Sequence, residues 1–109
     1  MLHFAAQLNT STQPAQLLLL PEAGLPDQQQ LLPLVCTWLL QYPAITNLSS
    51  EQGTDWLQWR FSFANQTFML QFEHYTESFW IEADTDSAVM LLSELACCLQ
   101  QPDLNQNCS

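Results

Sequence analysis

Basic side chains are almost missing from this 109-residue chain, which has one arginine, Arg60, no lysine and eleven acids, for a formal net charge of −10. Such a surface repels a phosphate backbone, and without cations no counterion release offsets the repulsion. The balance argues against nucleic acid and anionic membrane as direct partners. Glycine is scarce as well, with two in the whole chain. A glycine-rich phosphate cradle has nothing to be built from, and no G-x-S-x-G or H-E-x-x-H motif occurs. No apolar run approaches the about 20 residues of a membrane-spanning helix. The N-terminus, Met1-Leu2-His3-Phe4, lacks the basic region, apolar run and small-residue cleavage site of a signal peptide. A cytoplasmic location follows as the expectation. The four cysteines (Cys36, Cys97, Cys98, Cys108) form no C-x-x-C pair, and they read as reduced thiols.

What is present suffices for one folded unit. The apolar share of 48% is that of a globular chain, and the length predicts a single α+β domain over residues 1–101 with a polar tail at 102–109. Leu2, Phe4, Ala6 and Leu8 alternate with polar or small residues as in a half-buried strand. A turn at Asn9–Pro14 leads to a second strand, Gln16–Leu20, apolar on both sides and so expected inside the sheet. A helix starts at Asp27, whose carboxylate can cap it with Gln30 as its capping-box partner. Leu31, Val35, Trp38, Leu39 and Tyr42 form its apolar stripe. Pro33 should kink the helix or delay its start, and Pro43 stops it. Residues 44–55 read as a polar connection. Trp56–Ala64, Thr67–His74 and Ser78–Ala83 then alternate strictly and form a meander, with Asn65-Gln66 as its first turn. A last helix runs from Thr85 or Asp86 to Gln100, with Val89, Leu92, Ala96 and Leu99 inward. The predicted order is β-β-α-β-β-β-α: an antiparallel sheet of four to five strands with two helices on one face.

Period-two patterning sorts the meander's side chains. Leu57, Trp59, Phe61, Phe63, Phe68, Leu70, Phe72, Phe79 and Ile81 belong to the core. The opposite parity carries Trp56, Arg60, Met69, Glu73, Tyr75 and Trp80. With Asn65-Gln66 as the turn, Arg60 lies opposite Gln71 and diagonal to Glu73, and Trp56 pairs with Tyr75. Two tryptophans on a face without helices have three explanations. The N-terminal segment or the 44–55 connection folds over them, or they meet a protein partner, most simply in a symmetric homodimer, or they line a small-molecule pocket. The expected function is a non-enzymatic binding or protein-interaction domain, with Trp56, Arg60, Met69, Glu73, Tyr75 and Trp80 as its surface.

Two alternatives rest on other groups. Glu73, His74, Tyr75 and Arg60 could form a small-molecule enzyme or ligand site, since an acid, an imidazole and a phenol fall near one turn. His74 has core-facing parity, which favours a hydrogen-bonded rim residue. The acids could also act as a decoy for a nucleic-acid-binding protein, if they were spaced like phosphates along one edge. Glu82, Asp84 and Asp86 cluster before the last helix, but the calcium-loop pattern and its glycine are missing, and acids suit a helix start. No metal site and no cofactor are expected.

The segment Phe72–Ala83 (FEHYTESFWIEA), preceded by a tryptophan-bearing strand and followed by a helix, resembles a small gammaproteobacterial family of short acidic proteins of unknown function. The resemblance covers roughly the C-terminal half, with Tyr75 and Trp80 at its aromatic positions, and implies a bacterial setting without implying an activity. Double-stranded RNA-binding domains share the order helix, meander, helix, but this chain lacks their lysines. Secretion chaperones include small acidic α+β dimers, a likeness of composition and fold alone.

Overall fold

The structure, a computed structural model, describes residues 2–100, so the polar tail expected from residue 102 lies outside the described residues. The elements are β1 (Phe4–Asn9), β2 (Gln16–Pro21), α1 (Gln28–Leu40), β3 (Thr46–Gln52), β4 (Trp56–Phe63), β5 (Gln66–Glu73), β6 (Ser78–Ala83), α2 (Asp86–Val89) and α3 (Leu92–Gln100). All six strands join one sheet in the order β1-β2-β6-β5-β4-β3, antiparallel throughout. The α+β class and the antiparallel sheet agree with the patterning. The strand count, the first turn and the last helix differ.

The sixth strand is β3, in the stretch expected to be a connection. It lies at the sheet edge, where all its residues but Leu48 are exposed. An edge strand that buries neither face shows no apolar alternation, which is why TNLSSEQ does not read as a strand. It gives β4 a hydrogen-bonding neighbour, and a bulge between Thr46 and Ser49, with Asn47 at φ 54°, breaks its regularity.

The meander pairs two residues out of the expected register. Phe63 faces Gln66, so Ala64 and Asn65 make the turn, with φ of 54° and 64°. Two positive φ values are what a tight hairpin between right-twisted strands demands, and asparagine tolerates that region. Arg60 therefore lies opposite Met69, and Trp56 opposite Glu73. A shift of two preserves parity, so every side chain keeps its face.

The last helix is broken at Met90 and Leu91 into α2 and α3. Thr85 caps α2, its hydroxyl accepting from the Ala88 N–H at 3.1 Å. Ala88, Leu92, Leu95 and Leu99 are the inward residues; Val89 and Ala96 are half-buried, because the break rotates the stripe. In α1, Pro33 sits inside the helix, which begins before it at Gln28. The Asp27 carboxylate makes no capping bond; its main-chain carbonyl accepts from Gln30 and Leu31 instead.

All three helices contribute to one core with one face of the sheet. Leu57, Trp59, Phe61, Phe68, Leu70, Phe72, Phe79 and Ile81 are buried there, and Phe63 is half-buried at its margin. Leu17 and Leu19 of β2 extend the row. Side-chain hydrogen bonds tie the helices into the assembly. The Trp59 indole donates to the Leu32 carbonyl of α1 at 3.2 Å, and the Tyr42 hydroxyl donates to the Leu99 carbonyl of α3 at 2.8 Å. Buried polar groups with such partners avoid the desolvation cost of being left unmade. Among the described residues no helix is long and apolar enough to cross a membrane.

Candidate docking surface on the bare face of the sheet

Among the described residues the helices all pack on one side of the sheet, and no other segment lies across its opposite, bare side. Neither segment expected to cover it does so: β1 and the 44–55 stretch lengthen the sheet at its two edges. The register gives a map of this face. One row runs Gln7, Leu18, Trp80, Gln71, Gln58, Glu51 across all six strands. On one side of it lie Ser78, Glu73 and Trp56, with Leu20 beside Ala5. On the other side lie Glu82, Met69, Arg60 and Ser49.

Apolar area is concentrated here. Leu20 is 47% exposed and Trp56 42%, while Leu18, Met69 and Trp80 are half-buried. Trp80 is held by its neighbour two residues on, its indole donating to the Glu82 carboxylate at 2.8 Å. Trp56 lies over Gly53 in the turn that joins β3 to β4, where the Gly53 N–H donates to the Trp56 carbonyl at 2.9 Å. A Cβ on Gly53 would collide with the Trp56 ring, so the ring can lie this close to the turn only because residue 53 has no side chain. Leu18 and Leu20 were legible in part, since β2 read as apolar on both sides. Glu51 and Ser49 were not, because their segment gave no strand signal.

Of the six residues expected on the surface, Trp56, Arg60, Met69, Glu73 and Trp80 share the bare face. Tyr75 does not pair with Trp56. It stands in the turn after β5, 75% exposed, its ring 5.6 Å from that of His74 in an edge-on arrangement. His74 is exposed in the same turn, because β5 ends before its core-facing parity can take effect; its N–H donates to the Asp55 carbonyl at 2.9 Å.

Glu73 shapes this turn. Its carboxylate accepts from the Thr76 hydroxyl at 2.7 Å and from the Tyr75 and Thr76 N–H groups at 2.9 and 3.0 Å. The Thr76 hydroxyl first, and the Tyr75 N–H next, hold its pKa below the ordinary carboxylate value. Arg60 is remote from this group, two register rows along, or roughly 13 Å at about 3.3 Å per residue. The fold therefore does not gather Glu73, His74, Tyr75 and Arg60 into one pocket. Arg60 is exposed over a depression of about 230 Å³ with Ser49, Glu51 and Gln58. Among the described residues it forms no ion pair, because the shifted register puts Met69 opposite it.

The acids do not line one edge. Glu51, Glu73 and Glu82 lie on the bare face, Asp55 and Glu77 in turns at one end, Asp84 and Asp86 at the other, and Glu94 on α3. Among the described residues no three His, Cys, Asp or Glu side chains are grouped so as to hold a metal ion. A separate cleft of about 390 Å³ opens near the N-terminal end of β1. Phe4, Trp38 and Tyr42 are among its lining, with Glu22 and His3.

Against known families, the model of one described as "Protein of unknown function (DUF3630)" matches residues 6–100. The chain belongs to this family. The match takes in β2 to α3 whole and residues 6–9 of β1, so the bare face is part of what the family model spans. No curated protein and no solved structure matches the chain.

Proposed function

We propose that the protein is a non-enzymatic interaction module that docks another protein on the bare face of its sheet. The observation that carries this reading is the placement of Leu18, Leu20, Trp56, Met69 and Trp80 on the face that receives none of the three helices. Covering an exposed tryptophan or leucine contributes roughly 1.5–3 kcal/mol, and aromatic anchors dominate the energetics of protein interfaces. Charge favours a different protein over a second copy on this face. With three carboxylates against one guanidinium the face is net negative, so it repels a second copy of itself, between chains that each carry −10. The setting that goes with this reading is a bacterial cytoplasm, where the thiols of Cys36, Cys97 and Cys98, free in the fold, stay reduced.

The test places a photo-crosslinking amino acid at position 20 or 80, and at Ser93 on α3 for comparison, in the cells that make the protein. The expected result is one protein captured from positions 20 and 80 and not from 93. Its affinity should fall in a Trp80→Glu variant whose circular dichroism is unchanged. Equal capture from all three positions, or capture of only a second copy of this chain, overturns the reading.

A further inference from the structure

The bare face alternates rings and carboxylates. Trp56 is directly opposite Glu73, Glu73 is one step diagonal from Trp80, and Trp80 is bonded to Glu82. The order Trp56, Glu73, Trp80, Glu82 thus forms a diagonal strip over three adjacent strands. Its length is roughly 16 Å, from about 4.8 Å between strands and about 3.3 Å per residue along them. A ring beside a carboxylate recognises a cationic side chain twice over. The ring face attracts a guanidinium or ammonium, and the carboxylate accepts charge-assisted hydrogen bonds from the same group.

Both acids are held in place before any partner arrives. Glu82 is fixed through one oxygen by the Trp80 indole, which leaves the other for a ligand. Glu73 is fixed by the turn that it caps, and a carboxylate has about four lone-pair sites to share. Arg60, with Met69 between it and Glu82, bounds the strip and turns cations away from that end.

We propose that the partner docks through a basic segment, with arginine or lysine side chains at alternate positions of an extended strand seated along Trp56, Glu73, Trp80 and Glu82. Alternate residues of such a strand point to one side about 6.6 Å apart, which suits the spacing of the strip. Net charge acts in the same direction, since a chain with eleven acids and one base attracts cationic chains over a distance. This inference rests on the reading of the bare face as a docking surface.

The experiment uses the full chain and follows its tryptophan indole N–H resonances. The probes are a short peptide with arginine at alternate positions, the same peptide with uncharged citrulline, and spermidine. The arginine peptide should shift the Trp56 and Trp80 signals and leave that of Trp38, which is buried in α1. Glu73→Gln and Glu82→Gln should each weaken it about tenfold, the ratio of one charge-assisted hydrogen bond. Glu94→Gln, on the helical side, should not. Equal binding of the citrulline peptide or of spermidine overturns the proposal, as does equal weakening by Glu94→Gln. If crosslinking at positions 20 and 80 captures a partner while the arginine peptide fails to bind, the cationic assignment falls and the docking face stands. If neither occurs, both fall.

Discussion

Trp56 and Trp59 lie three residues apart on one strand and point to opposite sides, so one substitution made at each tests the sorting of the sheet. Trp59 is fully buried. Replacing it by alanine removes about 200 Å² of ring from the core, or about 5 kcal/mol at about 25 cal/mol per Å². The lost indole bond leaves the Leu32 carbonyl without that donor, which adds about 1 kcal/mol. Truncations of buried aromatics cost about 3–5 kcal/mol, so about 4–5 is expected here. A domain of this size is stable by about 5–15 kcal/mol, so Trp59→Ala leaves a marginal fold. Trp56→Ala forfeits cross-strand contact with Glu73 and packing on Gly53, worth about 1 kcal/mol. Urea unfolding followed by circular dichroism reads the difference. With a slope of about 1–3 kcal/mol per molar, a gap of about 3 kcal/mol separates the two midpoints by about 1–3 M. Equal midpoints would falsify the assignment of the two rings to different faces, and with it the docking surface.

Two further outcomes follow from the same geometry. Gly53→Ala should drive the Trp56 ring off the turn, which a red shift of its fluorescence reports in a background where the other tryptophans are phenylalanine; an unmoved spectrum would show that the turn has room for a methyl group. The Glu73 carboxyl should titrate below the ordinary glutamate value when followed by NMR, because the Thr76 hydroxyl and the Tyr75 N–H favour its charged form. Its folded pKa is depressed, so its contribution to stability is full above the unfolded value and is lost as pH falls through the folded one. Thr76→Val should raise that pKa toward normal, and an unchanged titration would remove the hydroxyl from the account.

Residues 56–83 show how far local pattern reaches. Leu57, Trp59, Phe61, Phe68, Leu70 and Phe72 had to share one face, because alternation along a strand does not depend on where the strand lies. The placement of Trp56, Met69 and Trp80 on the other face was legible for the same reason. Tyr75 was misplaced because strand pattern continues past the point where the turn begins. The Ala64-Asn65 turn was missed because asparagine serves at either central position of a hairpin, and two registers that differ by two residues have identical faces.

Composition and periodicity, by themselves, determined the acidic character of this chain, its α+β class, the two sides of its meander and the identity of its core rings. Those properties come from side-chain chemistry and from the fixed period of an extended backbone. Only the tertiary structure decided that residues 46–52 pair at an edge, that β2 inserts beside β6, and that nothing in β1 or β3 lies across Trp56 and Trp80. These are contacts between residues far apart in the chain, and their energy depends on which neighbour each strand finds.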